Sequence, residues 1–221
     1  MTFDAATIAM LKTGILETLY MTFASSIIAY LIGIPLGLIL VVTDQDGIHP
    51  IPPLQKLLGL LINLLRSVPF IILLIMVLPF TRFIVGTTLG AKAVIVPLVI
   101  AAAPYVARVV ESSFKEVDAG VIEAAKSMGA STMQIIVKVL LPEAKPSLLV
   151  GAAISVTTIL GYSAMAGFVG GGGLGSIAIN YGYYRYQTDM MLITVAILVI
   201  IVQIIQESGM KLAKVSDKRI R

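Results

Sequence analysis

The chain has 221 residues, a mean hydropathy of +1.00, 58% hydrophobic residues and only 13% charged ones. A soluble domain carries about 25% charged residues, so the composition excludes a water-soluble globule, and the lack of cysteine excludes disulfides, thiolate metal sites and a cysteine nucleophile. The net charge of +4 is not interleaved with aromatics in the manner of a nucleic-acid surface, and no nucleic acid partner is expected.

A helix rising about 1.5 Å per residue needs roughly 20 residues to cross a hydrocarbon core of about 30 Å. Five apolar blocks approach or exceed that length, over residues 14–42, 57–80, 88–109, 146–168 and 190–206. They are too long and too uniform for barrel strands, so the expected fold is all-α, integral to the membrane, with five spans in a single transmembrane domain covering 1–221. Residues 1–12 lack the charge and cleavage pattern of a signal peptide and read as a short polar lead into the first span.

Prolines and glycines inside the spans, among them Gly33, Pro35, Gly37, Pro69, Pro97 and Pro104, predict kinked helices. The Gly33/Gly37 spacing also fits a close helix contact, with Pro35 between them favouring a bend. At the start of the second span and just before it, Gln55, Gly59, Asn63 and Arg66 recur at steps of four, four and three and form one stripe on a helix. The stripe either lines a pathway or dimer contact, or belongs to a helix that starts in the interface with Arg66 at headgroup level.

Placing the N-terminus outside puts twelve basic residues on the inner side: Lys56, Arg66, Arg108, Lys115, Lys126, Lys138, Lys145, Lys211, Lys214, Lys218, Arg219 and Arg221. Four, Lys12, Arg82, Lys92 and Arg185, remain outside. The positive-inside rule therefore orients the chain N-out and C-in. The basic tail 211–221 either meets anionic lipid headgroups or simply fixes the topology.

Residues 111–145, between the third and fourth spans, are too polar for lipid and too long for a plain connection. Asp118 can cap a first short helix that Gly129 ends in the left-handed conformation. Ser131 and Gln134 have the form of a capping box for a second, and Pro142 is expected to stop it. The small residues Ala124, Ala125 and Gly129 leave the bend open to close approach by another protein, while an amphipathic hairpin lying on the bilayer fits the same pattern.

Glu123-Ala124-Ala125, Gly129, Val139 and Leu141-Pro142 resemble the EAA loop of binding-protein-dependent ABC importer permeases, with Val139 where isoleucine is usual. Outside the loop, the runs from Leu65 to Leu74 and from Gly161 to Gly167, the glycines from Gly170 to Gly173, and Tyr181-Gly182-Tyr183 resemble the methionine-import branch of that family. The resemblance implies a type I importer fold, a homodimer, two copies of a cytoplasmic ATPase gripping the loop, and an external substrate-binding lipoprotein. It also implies an inner-membrane location and import of methionine, L- and possibly D-, or of another small amino acid. ATP and Mg would be used by the partner, since this chain has no phosphate-binding G-x-x-x-x-G-K-[ST] pattern.

Tyr162, Ser163 and Met165 late in the fourth span either shape a pocket for a thioether or pack the core. Gly170, Gly172 and Gly175 match a dinucleotide fingerprint formally, but follow a span instead of a strand and read as an outer turn or a close helix approach. His49, the only histidine, reads as a surface residue, and no metal or catalytic set is expected. A secondary transporter without an ATPase would need internal repeats and a membrane-embedded acid. An intramembrane enzyme would have only Arg66, Lys92 and scattered serines to work with.

Overall fold

The structure, a computed structural model, describes residues 4–217, which leaves Lys218, Arg219 and Arg221 of the basic tail outside the described residues. Nine α-helices are present among them: α1 Ala5–Val42, α2 Pro52–Ser67, α3 Phe70–Val85, α4 Ala91–Lys115, α5 Ala119–Ser127, α6 Thr132–Ile135, α7 Leu141–Met165, α8 Gly173–Ile177 and α9 Thr188–Ser216. A π-helical turn, Ile136–Leu140, joins α6 to α7, a 3-10 turn, Ala166–Val169, follows α7, and a second π-helical segment, Ala178–Tyr183, follows α8. No strand occurs among the described residues, and the glycine run lies in no strand-helix-strand unit.

Among the described residues, four helical stretches are long and apolar enough to cross a membrane: Ala5–Val42, Ala91–Lys115, Thr132–Val169 and Thr188–Ser216. Counting the bent pair α2 and α3 as one span gives five. The expected second span, 57–80, is thus broken where a kink was expected. Val68 precedes a proline, which disfavours the helical region, and Pro69 sits at φ −57°, ψ 134° as the N-cap of α3. Its carbonyl accepts from Ile72 N at 3.0 Å and Leu73 N at 3.0 Å, so the new helix starts there.

Three further boundaries differ from the sequence reading. Helix α1 begins at Ala5, which makes most of the polar lead helical. The segment 111–115 is the end of α4, not loop. Pro142 does not stop the second hairpin helix, because helix continues through it into α7. The π-turn before it closes with Leu141 N on Ile136 O, and this wider turn relieves the clash that a proline ring makes with the preceding turn.

The chain divides into two compact units. One holds residues up to Ala29, Val68–Ala102 and Val156–Gln206. One apolar cluster in it is Leu11, Leu174, Ile177 and Met190, with Ile15, Tyr181 and Ile193 packed against it. The other unit holds Tyr30–Ser67, Ala103–Ser155 and the residues from Glu207 on. Leu40, Ile62 and Ala107 form one apolar cluster in it, flanked by Leu36 and Leu58.

In the second unit α1 and α4 are in contact through glycine. A Cβ on Gly33 would lie 2.6 Å from Val106 Cγ1, and one on Gly37 would lie 2.6 Å from the Ala107 carbonyl oxygen. The Gly33/Gly37 pair therefore makes the close helix contact, and α1 stays helical through Pro35. Many large apolar side chains, including Leu16, Ile27, Leu31, Phe83 and Leu192, are exposed, as expected where lipid or a second chain is the solvent.

Candidate functional site

The hairpin over α5 and α6 is built by local rules. Asp118 accepts from Gly120 N at 2.8 Å and caps α5. At the other end Gly129 has φ +77°, with Gly129 N donating to Lys126 O at 2.9 Å and Ala130 N donating to Ala125 O at 3.1 Å. These two bonds are the paired closure of a Schellman motif, which glycine enters without steric cost. Ser131 then opens α6 with a complete capping box: its N–H donates to Gln134 Oε1 at 2.8 Å, and Gln134 N donates to its hydroxyl at 3.4 Å.

Within this hairpin Ala125 is buried, whereas Glu123, Ala124 and Gly129 are exposed. Val139 is half-buried, and Leu141 and Pro142 are exposed. Val121, Met128, Met133 and Val137 in the same stretch are also exposed, with Met128 at 81% and Met133 at 67%. Adaptable methionines exposed on a rigid, capped turn suit contact with a protein partner. The sequence reading missed both methionines, although their flanking of Gly129 on a polar segment was the signal.

The hairpin is joined to the loop 43–51 and to α2 by charge. Lys126 Nζ donates to Gly47 O at 3.3 Å. Lys115 pairs with Asp44 at 2.8 Å and with Glu111 at 3.0 Å, and Glu111 also accepts from Arg108 Nη1 at 2.6 Å. Arg108 Nη2 donates to Gly59 O at 3.0 Å and to Asn63 Oδ1 at 2.9 Å. The hydrogen bond from Lys115 holds the Asp44 carboxyl below its ordinary range, aided by the Gln45 N–H and opposed by partial burial.

Of the stripe expected on the second span, Gly59 and Asn63 do share one face, and what they meet is Arg108. Arg66 is exposed and takes no part in those bonds. Sequence reasoning counted Arg108 only among the inner basic residues and placed Glu111 only at the start of the loop 111–145, yet their i,i+3 spacing was legible as a pair.

In the other unit Tyr162 stacks on Phe70 with centroids 4.5 Å apart and planes at 10°. Ser163 is buried and donates to Leu160 O at 2.7 Å, and Met165 is 48% exposed. The three neighbours thus have different surroundings: one in a ring stack, one buried, one half exposed.

The glycine run is a tight turn clamped onto α1. Gly170, Gly172 and Gly173 all have positive φ, Gly173 N donates to Glu17 Oε2 at 2.6 Å, and Leu174 N donates to Thr18 Oγ1 at 2.9 Å. Glu17 lies within the expected first span, so Arg66 and Lys92 are not the only charged groups there. A shallow cleft of about 340 Å³ lies against it, with Asn180 and Tyr181 on its wall. His49 is exposed.

Long apolar helices with a folded, capped and exposed hairpin between two of them define a multi-span membrane protein. Residues 33–221 match the family described as binding-protein-dependent transport system inner membrane component, and the chain belongs to that family. It is 49% identical over 210 residues to the probable D-methionine transport system permease protein MetI of Vibrio cholerae, covering 95% of this chain and 93% of that one. It is 46% identical over 207 residues to the protein of the same description from Haemophilus influenzae, covering 94% of this chain and 97% of that one.

Among solved structures, a chain of the MetNI methionine ABC transporter in an inward-facing conformation superposes with a TM-score of 0.96 at 44% identity, covering 98% of this chain and 100% of that one. An amino acid ABC transporter crystallised with histidines superposes with a TM-score of 0.78 at 21% identity, covering 97% of this chain and 99% of that one, a likeness of fold. The fold is thus the all-helical type I importer fold that the EAA resemblance implied.

Proposed function

We propose that this chain, as a homodimer in the cytoplasmic membrane, forms the translocation pathway of an ATP-driven importer for methionine, L- and D-. In this reading the N-terminus is outside, the hairpin and the C-terminus are cytoplasmic, and a substrate-binding lipoprotein delivers cargo from outside. Two copies of a separate ATPase subunit bind ATP and Mg and grip the hairpin around Glu123–Gly129; this chain binds neither. The single observation that carries the reading is the exposed hairpin, rigidly capped at Asp118, Gly129 and Ser131, in a chain whose relatives are described as methionine permeases. The capping supports a lever in preference to a hairpin lying passively on lipid, because the Gly129 closure and the Ser131 box together fix the turn between α5 and α6.

Movement of such a lever exposes the pathway alternately to the two sides, and only differential affinity of the ATPase for the two states can drive it. The test is to purify the chain with its ATPase and binding protein, reconstitute them in lipid, and measure which amino acid stimulates ATP hydrolysis. Methionine is expected to stimulate and to accumulate. Stimulation by another small amino acid alone would correct the substrate, and uptake driven by a proton or sodium gradient without the ATPase would contradict the assignment.

A further inference from the structure

A continuous polar chain starts on the hairpin and ends on α2. Lys126 of α5 holds the Gly47 carbonyl, and Gly47 N in turn donates to Asp44 O at 3.0 Å, so the acceptor and Asp44 belong to one turn. From Asp44 the chain passes to Lys115, to Glu111 and to Arg108, and Arg108 reaches the Gly59 carbonyl and the Asn63 side chain on α2.

Glu111 is the node. Its side chain is 7% exposed and is held between two cations. Each cation takes one carboxylate oxygen, Arg108 on Oε2 and Lys115 on Oε1, and a buried oxygen that loses its donor costs free energy, so a displacement at one end of the chain is resisted at every link. Arg108 Nε is buried without an acceptor. The guanidinium therefore keeps one donor unused in this conformation and can exchange acceptors if α2 shifts against α4.

We propose that Asp44, Lys115, Glu111 and Arg108 are positioning residues that carry movement of the hairpin to α2, coupling ATP turnover to the pathway. The inference rests on the hairpin being the seat of the ATPase. None of the four has to touch substrate or nucleotide for this role, so their effect should fall on the ratio of transport to hydrolysis.

The experiment uses the whole transporter with its ATPase and binding protein in proteoliposomes, measuring ATP hydrolysis and uptake of radiolabelled L-methionine together. In Asp44→Asn and in Glu111→Gln, uptake per ATP is expected to fall about fivefold or more, within the range that coupling residues command, while hydrolysis stays within about twofold. Because the chain has no cysteine, the double substitution Asp44→Cys, Lys115→Cys can then be bridged by a short bismaleimide, which should restore most of the lost coupling. Unchanged ratios in both single variants, equal loss of hydrolysis and uptake, or a bridge that restores nothing would each overturn the relay. If Glu111→Gln fails to assemble, Asp44→Asn on the accessible loop and the bridged pair decide. Absence of ATP-driven uptake in the unsubstituted transporter would overturn the functional reading, and the relay with it.

Discussion

The Glu17 carboxylate in α1 accepts a 2.6 Å hydrogen bond from the backbone N–H of Gly173, 156 positions further along the chain. This bond fixes the glycine turn that starts α8, with Thr18 accepting from Leu174 N beside it. An acid within an apolar helix is costly unless it is hydrogen-bonded, and here its acceptor capacity is spent on backbone amide.

Glu17→Ala should therefore destabilise the chain by about 1–3 kcal/mol, the cost of leaving a buried donor unmet. At about 2–4 °C per kcal/mol for a chain of this size, thermal melting in detergent resolves the loss. Glu17→Gln keeps a carbonyl acceptor and should lose less. Melting of Glu17→Ala at the unsubstituted temperature would show that water replaces the carboxylate.

At Gly129 the cost is conformational. No atom lies within 4 Å of an added Cβ, but φ is +77°. Gly129→Val should cost about 1–2 kcal/mol locally, because the left-handed region crowds a Cβ against the following carbonyl. Gly129→Asn should cost less, since asparagine enters that region more readily. Uptake is expected to fall in the valine variant while membrane insertion is unchanged, as judged by transport assay and membrane fractionation.

Gly37 and Gly33 offer a contrast in what must give way. A Cβ at Gly37 meets the Ala107 backbone oxygen at 2.6 Å, whereas one at Gly33 meets the Val106 side chain at 2.6 Å. The nearest backbone carbonyl at Gly33, that of Ala103, is 3.1 Å away, and a helix carbonyl cannot give way as a side chain can, so Gly37→Ala should be the more damaging within the roughly 1–3 kcal/mol that overpacking costs. Denaturation of the two variants side by side checks the order.

The pair Asp44–Lys115 sets an acid limit. The folded-state pKa of Asp44 is lowered from 3.8, so between the folded and unfolded values the unfolded chain binds more protons and stability rises with pH. Its contribution is fully present above pH 3.8 and is lost as pH falls through the lower, folded value. For an accessible pair this amounts to at most about 1 kcal/mol. Asp44→Asn should remove that part of the acid dependence, read as a flatter melting curve below pH 4.

The features legible in the sequence were those fixed by neighbours a few positions away. Asp118, Gly129 and the Ser131/Gln134 box act over two to five residues, and each stands where the spacing put it. The contacts that sequence reading missed join distant positions: Arg108 to Asn63, Glu17 to Gly173 and Lys126 to Gly47. Pro69 and Pro142 show the same limit from another side. Both lie in helical, apolar surroundings, yet one breaks the helix and the other does not. The difference lies in the π-turn before Pro142, which no local pattern announced.

The central claim is that the hairpin faces the cytoplasm and is held there by an ATPase. Met128, 81% exposed beside Gly129, is the position to ask, since Met128→Cys would be the only thiol in the chain. Labelling with a membrane-impermeant maleimide is predicted to fail in intact spheroplasts, to succeed in inverted vesicles stripped of the ATPase, and to be blocked when the ATPase is restored. Labelling from the outside of intact spheroplasts, or labelling indifferent to the ATPase, would contradict the account.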